Sequence, residues 1–242
     1  MIIANMATFP TRKDIVIKVV QSLHKQVDLL NLCLNEFTSI PKEYAKFSKL
    51  NPIIPNKDYK DVGKFIHPIV LDASYILVDD DIIYPPNYVA HLQYFYEKFK
   101  NLNIVVGTHG VIYSDIYNGS FKARKVFSFR QALDKVRVVN QLGTGTVFLK
   151  GYQLPSLSYM EGSQKYVDVR FSKYLYENNI SLLCVPREAN WQKEITVEDS
   201  IFSSFTKKWP SEIIKEVQVI SGYSKLKFSV VKQIELDELI SY

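Results

Sequence analysis

The sequence predicts an α/β protein, a single domain organised around a parallel sheet. A strand, a helix and a second strand follow one another within the first 34 residues, which is the pattern of a βαβ unit. The run Tyr75-Ile-Leu-Val78 is too apolar throughout to be half-exposed, and it stops abruptly at Asp79-Asp80-Asp81. Short apolar runs of strand type then alternate with helical periodicity as far as Val185.

Taken in order, Ile2–Met6 reads as the first strand and Phe9-Pro10-Thr11-Arg12 as the turn after it. Ile15, Val19, Val20 and Leu23 then recur at helical spacing, and Leu29–Leu34 is the second strand. Pro41, Pro52 and Pro55 punctuate a loop, and Tyr59–Ile69 looks helical up to Pro68. Tyr75–Val78 is the third strand, and Pro85-Pro86 opens a helix to about Lys100, since proline is tolerated in a first turn. Ile104–Val106, Val111–Tyr113 and Thr146–Leu149 read as strands. Ser163 is the expected cap of a helix to Asn178 whose Val167, Phe171 and Leu175 face the core, and Leu182–Val185 is the last strand. No repeat or linker splits the chain, so residues 1–242 are read as one domain. A nucleotide-binding part covers about 1–107 and an acceptor and C-terminal part about 108–242.

The composition, 47% apolar and 23% charged, is that of an ordinary globular protein and excludes a disordered or fibrous one. Cys33 and Cys184 lie in apolar runs and are expected as buried free thiols, which fits a reducing compartment. The N-terminus carries no signal-peptide pattern, and no apolar run is long enough to span a bilayer. The expectation is therefore a cytoplasmic protein, at most peripheral at the inner membrane through partners. The window Lys122–Arg137 holds six basic residues against the single acid Asp134, a surplus equal to the net charge of +5 on the whole chain. It is either a solvated face or the docking surface of an anion. No nucleic-acid-binding motif accompanies it, so no nucleic-acid partner is expected.

Three carboxylates directly after a buried strand make a dense negative site at the carboxyl edge of a sheet, where open α/β sheets bind ligands. Like charges crowded together raise one another's pKa, and a divalent cation relieves the repulsion. Hard oxygen ligands suit Mg²⁺ or Mn²⁺, and such ions keep part of their shell for phosphate oxygens. The alternative is a solvated acidic turn at a helix N-terminus. Arg12 after the first strand, Lys64 beside Gly63, and Arg187 after the last strand are candidates to neutralise a diphosphate. In Gln141-Leu-Gly-Thr-Gly-Thr146 the two glycines permit close backbone approach, as a sugar ring packed on a loop requires, or mark a strand-entry turn. Asp168 either faces a sugar or only stabilises its helix. His109, between Gly107 and Gly110, is a metal or phosphate ligand or a hydrogen-bonded structural residue. No zinc pattern, Ser/His/Asp set, Gly-x-Gly-x-x-Gly or P-loop occurs, which argues against a dehydrogenase or kinase.

Several long motifs stand in order. They are Asp58-Tyr-Lys-Asp-Val-Gly-Lys-Phe65, Val78-Asp-Asp-Asp-Ile-Ile-Tyr-Pro-Pro86, Val139-Asn-Gln-Leu-Gly-Thr-Gly-Thr-Val-Phe-Leu149, Val167-Asp-Val-Arg-Phe171, Val185-Pro-Arg-Glu188 and Phe205-Thr-Lys-Lys-Trp-Pro210. Together they resemble the bacterial capsule alpha-N-acetylglucosaminyltransferases that build heparosan, from the first strand to about Leu226. A more distant likeness to the exostosin-like transferases of animals lies around Lys64-Phe65 and Asp79–Pro86.

The resemblance implies the GT-A nucleotide-diphospho-sugar transferase fold, a Rossmann-like mixed sheet with flanking helices. It implies UDP-GlcNAc as donor, Mn²⁺ or Mg²⁺ as cofactor, and transfer of GlcNAc in alpha-1,4 linkage to a glucuronate-terminated polysaccharide acceptor. A glucuronosyltransferase partner within a capsule-synthesis complex is implied as well. Carried over by position, Asp79 contacts the nucleotide, Asp81 ligates the metal, and Asp80 assists either. Asp168, Arg187 and Lys64 form the catalytic set. Arg12, Asp58, Gly143, Thr144 and Gly145 join Lys64, Asp79 and Asp80 in holding the nucleotide-sugar. Arg124, Arg130 and Arg137 of the basic window become candidates for the acceptor carboxylate, which guanidinium matches with paired hydrogen bonds. Two alternatives remain: a same-fold transferase with another UDP-sugar or linkage, and a catalytically silent glycan-binding subunit.

Overall fold

The computed structural model describes residues 1–115, 117–195 and 209–221, together with Val230, Lys232 and Ile234. Residues 196–208 and most of the segment after Ser221 thus lie outside the described residues, and with them Phe205–Lys208 of the last motif.

The first half alternates as the sequence suggests. Strand β1 (Ile2–Thr8) leads through a 3-10 turn at Pro10–Arg12 into helix α1 (Lys13–Leu23) and strand β2 (Leu29–Leu34). Helix α1 buries Val16, Val19, Val20 and Leu23; Ile15 is only half-buried, one position off the expected stripe. Each such side chain contributes about 1.5–3 kcal/mol on leaving water. The proline-punctuated loop contains a strand that the sequence reading took for loop, β3 (Leu50–Ile53), with Pro52 inside it. Proline is tolerated there because β3 is the sheet's outermost strand, where a missing N–H costs no ladder bond on the solvent side. The expected helix at Tyr59–Ile69 is a short 3-10 helix, Lys60–Phe65, ended well before Pro68.

Strand β4 (Ser74–Val78) is buried along its whole length. After the acidic triplet come the two-residue strand β5 (Ile82–Ile83) and helix α2 (Tyr88–Lys98), begun just past Pro85-Pro86. Strands β6 (Ile104–Gly107), β7 (Gly110–Tyr113), β8 (Arg124–Phe127), β9 (Arg137–Val139), β10 (Gln141–Leu142) and β11 (Thr146–Lys150) follow. Helix α3 (Leu157–Met160) and helix α4 (Val167–Glu177) come next. Ser163 does not cap α4; its hydroxyl donates to the Met160 carbonyl at 2.6 Å, and the chain turns through Lys165, at φ 74°, before the helix starts. Val167, Phe171 and Leu175 are buried as expected. Strand β12 (Ser181–Cys184) is not the last, because β13 (Lys193–Glu194) pairs antiparallel with β5. Helix α5 (Ser211–Ser221) packs on α4, where Glu216 accepts from Arg170 through both carboxylate oxygens at 2.6–3.0 Å.

The main sheet has eight strands in the order β3-β2-β1-β4-β11-β6-β12-β9. It is mixed rather than parallel: β11 runs antiparallel to both β4 and β6, and β9 antiparallel to β12, while the other neighbours are parallel. This is a large mixed sheet with flanking helices, an arrangement compatible with a Rossmann-like fold. Strands from before and after residue 107 interleave in it, so the two parts expected from the sequence share one sheet. One face is covered by α1 and α2 around Val16, Leu92 and Phe148, the other by α4 and the Lys60–Phe65 turn around Val62, Phe171 and Leu175. Cys33 and Cys184 are free thiols within these layers, and burial pushes the thiols up, to about 12 and about 11 respectively. Among the described residues, no helix is long and apolar enough to cross a membrane.

Candidate functional site

The chain winds from β1 outward through β2 and β3, then returns to lay β4 on the other side of β1. The carboxyl ends of β1 and β4 therefore flank the point where strand order reverses, the usual ligand crevice of an open α/β sheet. Asp79, Asp80 and Asp81 leave β4 at this crevice, and Arg12 leaves the turn after β1.

The three carboxylates have distinct surroundings. The Asp79 side chain is 41% exposed and ion-paired with the ammonium of Lys64, itself buried to 3%. Its backbone N–H donates to the Tyr84 hydroxyl at 2.8 Å, and that hydroxyl donates to the Gly145 carbonyl at 2.7 Å. Asp80 points inward, where one oxygen accepts from the Thr8 hydroxyl at 2.7 Å and the other from Arg12. Both oxygens are thus engaged inside the protein, which makes Asp80 an anchor for the loop. Asp81 takes one hydrogen bond from Arg12 at 3.0 Å and keeps 21% of its side chain exposed. Burial, then repulsion from Asp79 and Asp80, push its carboxyl up to about 7, against the pull of Arg12; Glu194 on β13 adds to the push. Asp81 is therefore the carboxylate with most to gain from an added cation.

Arg12 lies beneath the triplet, 5% exposed, bridging Asp80 and Asp81 with its guanidinium 4.9 Å from the Phe9 ring. Its charge holds the acidic loop together. Lys64 also donates to the Thr144 carbonyl at 3.3 Å. The Thr144 N–H and hydroxyl both donate to one oxygen of Asp168 at 2.7 Å. Among the described residues nothing donates to the other Asp168 oxygen, Oδ2. Lys64, Asp79, Thr144, Gly145 and Asp168 therefore form one connected wall.

The two glycines of the Gln141–Thr146 run are occupied differently from the sequence reading. At Gly145 the close neighbour is Asp79, whose Oδ2 a Cβ would meet at 1.9 Å; at Gly143 it is the His109 ring, at 3.3 Å. What these residues admit is the protein's own carboxylate and imidazole, and this packing sets where both point. His109 is half-buried, and its pKa is lowered by burial against the field of Asp168. Arg187 is buried, but its nitrogens donate to the carbonyls of Phe127, Ser128 and Val185 at 2.6–3.1 Å and to the Cys184 sulfur. It clamps Phe127 and Ser128, in the middle of the basic window, to the end of β12. Asp58 is exposed and accepts from the Lys60 N–H at 2.8 Å, shaping the turn before Lys64.

The basic window does not converge. Arg124 sits on β8 with its guanidinium 5.6 Å from the Trp209 ring, Arg130 pairs with Glu194 at 2.7 Å, and Arg137 is exposed on the edge strand β9. Sequence reasoning also passed over contributors that the structure makes plain. In the sequence Tyr84 figures only as part of the Val78–Pro86 motif, and its role in joining Asp79 to Gly145 carries no sequence signal beyond the position of Tyr84 before two prolines. Asp61 accepts the Lys165 N–H through both oxygens at 2.9 Å and ties the Lys64 turn to the entry of α4.

Comparison with known proteins finds no family model that matches this chain and no curated protein that matches it. Among the described residues, no group of three or more His, Cys, Asp or Glu side chains is arranged to hold a metal ion by itself.

Proposed function

We propose that this protein is a retaining, metal-dependent transferase of the GT-A type. It would move GlcNAc from UDP-GlcNAc in alpha-1,4 linkage to the terminal glucuronate of a growing polysaccharide. The observation that carries the reading is the position of Asp79 and Asp81, partly exposed at the crevice where strand order reverses, with Lys64 and Asp168 joined to them through one loop. The choice of sugar and linkage is supported by the motif resemblance alone.

The donor set fits a divalent cation that takes only one or two protein ligands. Asp81 has an oxygen to spare and crowded negative charge around it, so it would hold a hard Mg²⁺ or Mn²⁺ ion, which commonly leaves part of its shell for phosphate oxygens. When bound, the ion neutralises charge on the leaving diphosphate. Lys64 would add an ammonium to that neutralisation, and its grip on Asp79 and Thr144 holds it in place without reorganisation. Asp79 faces the nucleotide. Asp168, steadied by Thr144 through one oxygen, offers the other to the donor sugar or the reacting centre. Donor and product are both alpha, so configuration is retained, by double displacement through a carboxylate or by same-face attack. No carboxylate declares itself a nucleophile, which favours same-face attack: the acceptor oxygen bonds to the anomeric carbon as the bond to the diphosphate breaks, and the departing phosphate takes the hydroxyl proton. The acceptor and the partner enzyme of a capsule complex belong to the same proposal, as does a cytoplasmic site at the inner membrane.

The internal pairing of the triplet by Arg12 and Lys64 favours one rival, a silent glycan-binding subunit whose carboxylates need no metal. Turnover of UDP-GlcNAc with a glucuronate-terminated oligosaccharide, with and without Mn²⁺, followed by linkage analysis, decides between them. Metal-dependent UDP release with an alpha-1,4 product is expected, and release should stop on chelation. Turnover with a different UDP-sugar only would replace the donor; none with any would leave the silent reading.

A further inference from the structure

Strands avoid asparagine, yet three asparagines stand in one row across this sheet. The register sets Asn5 of β1 opposite Asn31 of β2, and Asn31 opposite Asn51 of β3. Asn51 Nδ2 donates to Asn31 Oδ1 at 2.9 Å, and Asn31 Nδ2 donates to Asn5 Oδ1 at 3.0 Å. Asn5 Nδ2 then donates to the backbone carbonyl of Lys64 at 2.8 Å. The direction of the line is dictated from its end. A carbonyl only accepts, so Asn5 must present its Nδ2 to Lys64 and its Oδ1 to Asn31, and this orients every amide in turn. Asn5 and Asn31 are buried, so each would be costly if left unsatisfied.

The row ends on the 3-10 turn that carries Lys64. Such turns have poorer hydrogen-bond geometry than an α-helix and depend on outside support. Asn35 supports the start of this one, accepting from the Tyr59 N–H at 3.0 Å and donating to the Lys60 carbonyl at 2.9 Å. Gly63 presses on β2 so closely that a Cβ would come within 2.7 Å of the Cys33 sulfur. Asn5 then holds the carbonyl of the lysine itself, and the side chain leaves that root to reach Asp79 and Thr144.

We propose that the Asn5–Asn31–Asn51 row is a positioning device for Lys64. It fixes the root of the lysine so that the ammonium stays on Asp79 and, if the transferase reading holds, on the leaving diphosphate. Only that last clause rests on the proposed function. Asn5 touches no substrate in this scheme; it acts through Lys64. A row that merely locked strand register would lower global stability and leave the Lys64–Asp79 interaction as it was.

The coupling between Lys64 and Asp79 is measurable by a double-mutant cycle in urea unfolding, using Lys64→Met, Asp79→Asn and the pair. Repeated in an Asn5→Ala background, the coupling should fall by roughly half or more. Unchanged coupling alongside lower stability would overturn the proposal. Should Asn5→Ala not fold, Asn51→Ala at the exposed edge serves instead, with a smaller loss expected and no loss counting against the row. In turnover of UDP-GlcNAc with Mn²⁺, Asn5→Ala should lower kcat on the order of 10-fold to 100-fold with donor KM nearly unchanged. That effect should vanish in the Lys64→Met background; its persistence there would also overturn the proposal. If the wild-type protein turns over no UDP-GlcNAc, the transferase reading falls, and the unfolding cycle still decides the role of the row.

Discussion

The carboxyl end of β4 and the basic window from Lys122 to Arg137 both concentrate charge, and the protein treats them in opposite ways. At β4, each charged side chain meets a specific partner: Lys64 on Asp79, Arg12 on Asp80 and Asp81, Thr144 on Asp168. In the basic window the arginines go separate ways, to an aromatic ring, to Glu194 and to solvent. The first is a preorganised site, where geometry is set before any ligand arrives. The second is a diffuse field suited to steering an anion rather than gripping it. A substitution should therefore be costly in the first region and mild in the second.

The sharpest way to break this contrast is Gly145→Ala. Its Cβ would stand 1.9 Å from Asp79 Oδ2, so the carboxylate or the loop must move. Under the transferase proposal, donor turnover should fall on the order of 10²-fold or more with little change in circular dichroism. Arg12→Ala comes next. It leaves Asp80, whose side chain is 7% exposed, without its cation, and should cost about 3–5 kcal/mol in urea unfolding. A loss below about 1 kcal/mol would mean that the pair behaves as a surface one. Asp168→Asn retains an oxygen for Thr144 and removes charge, so turnover should drop on the order of 10²-fold; near-full turnover would exclude a close role for this carboxylate.

For the basic window the expected effects are smaller. If the window meets the acceptor of the proposed transferase, raising salt should weaken acceptor affinity more than donor affinity, since exposed charges are the more strongly screened; equal losses would erase the distinction between the two regions. The smallest effect concerns Asp61, whose carboxyl is pushed up to about 6, chiefly by burial. The folded state then holds a proton that the unfolded chain has released, so stability should fall as pH rises from about 4 to about 6. Asp61→Asn should flatten that slope in urea midpoints measured across the range.

Much of this was legible in the residues. The apolar run before Asp79 announced a fully buried strand, and the spacing of Val167, Phe171 and Leu175 announced the buried face of α4, because both signals are local and periodic. Strand direction was not legible: nothing in Thr146–Leu149 says that it enters the sheet antiparallel between β4 and β6, since pairing depends on residues 40 or more positions away. The strand at Pro52 was hidden because proline argues against a central strand and only the edge position excuses it. In the site, residue type showed that Asp79–Asp81 were a centre of charge. It did not show that Asp80 faces inward or that Arg187 is spent on carbonyls, because orientation follows from neighbours brought in by the fold.

The state of the two cysteines has a practical consequence. With both thiols buried and hard to ionise, neither presents the thiolate that alkylating reagents and peroxide attack at neutral pH. The native chain is in effect a blank background for thiol chemistry. A single cysteine introduced at exposed Arg137 or Tyr94 would take up a fluorophore or spin label selectively, and the native sulfurs would not compete with it.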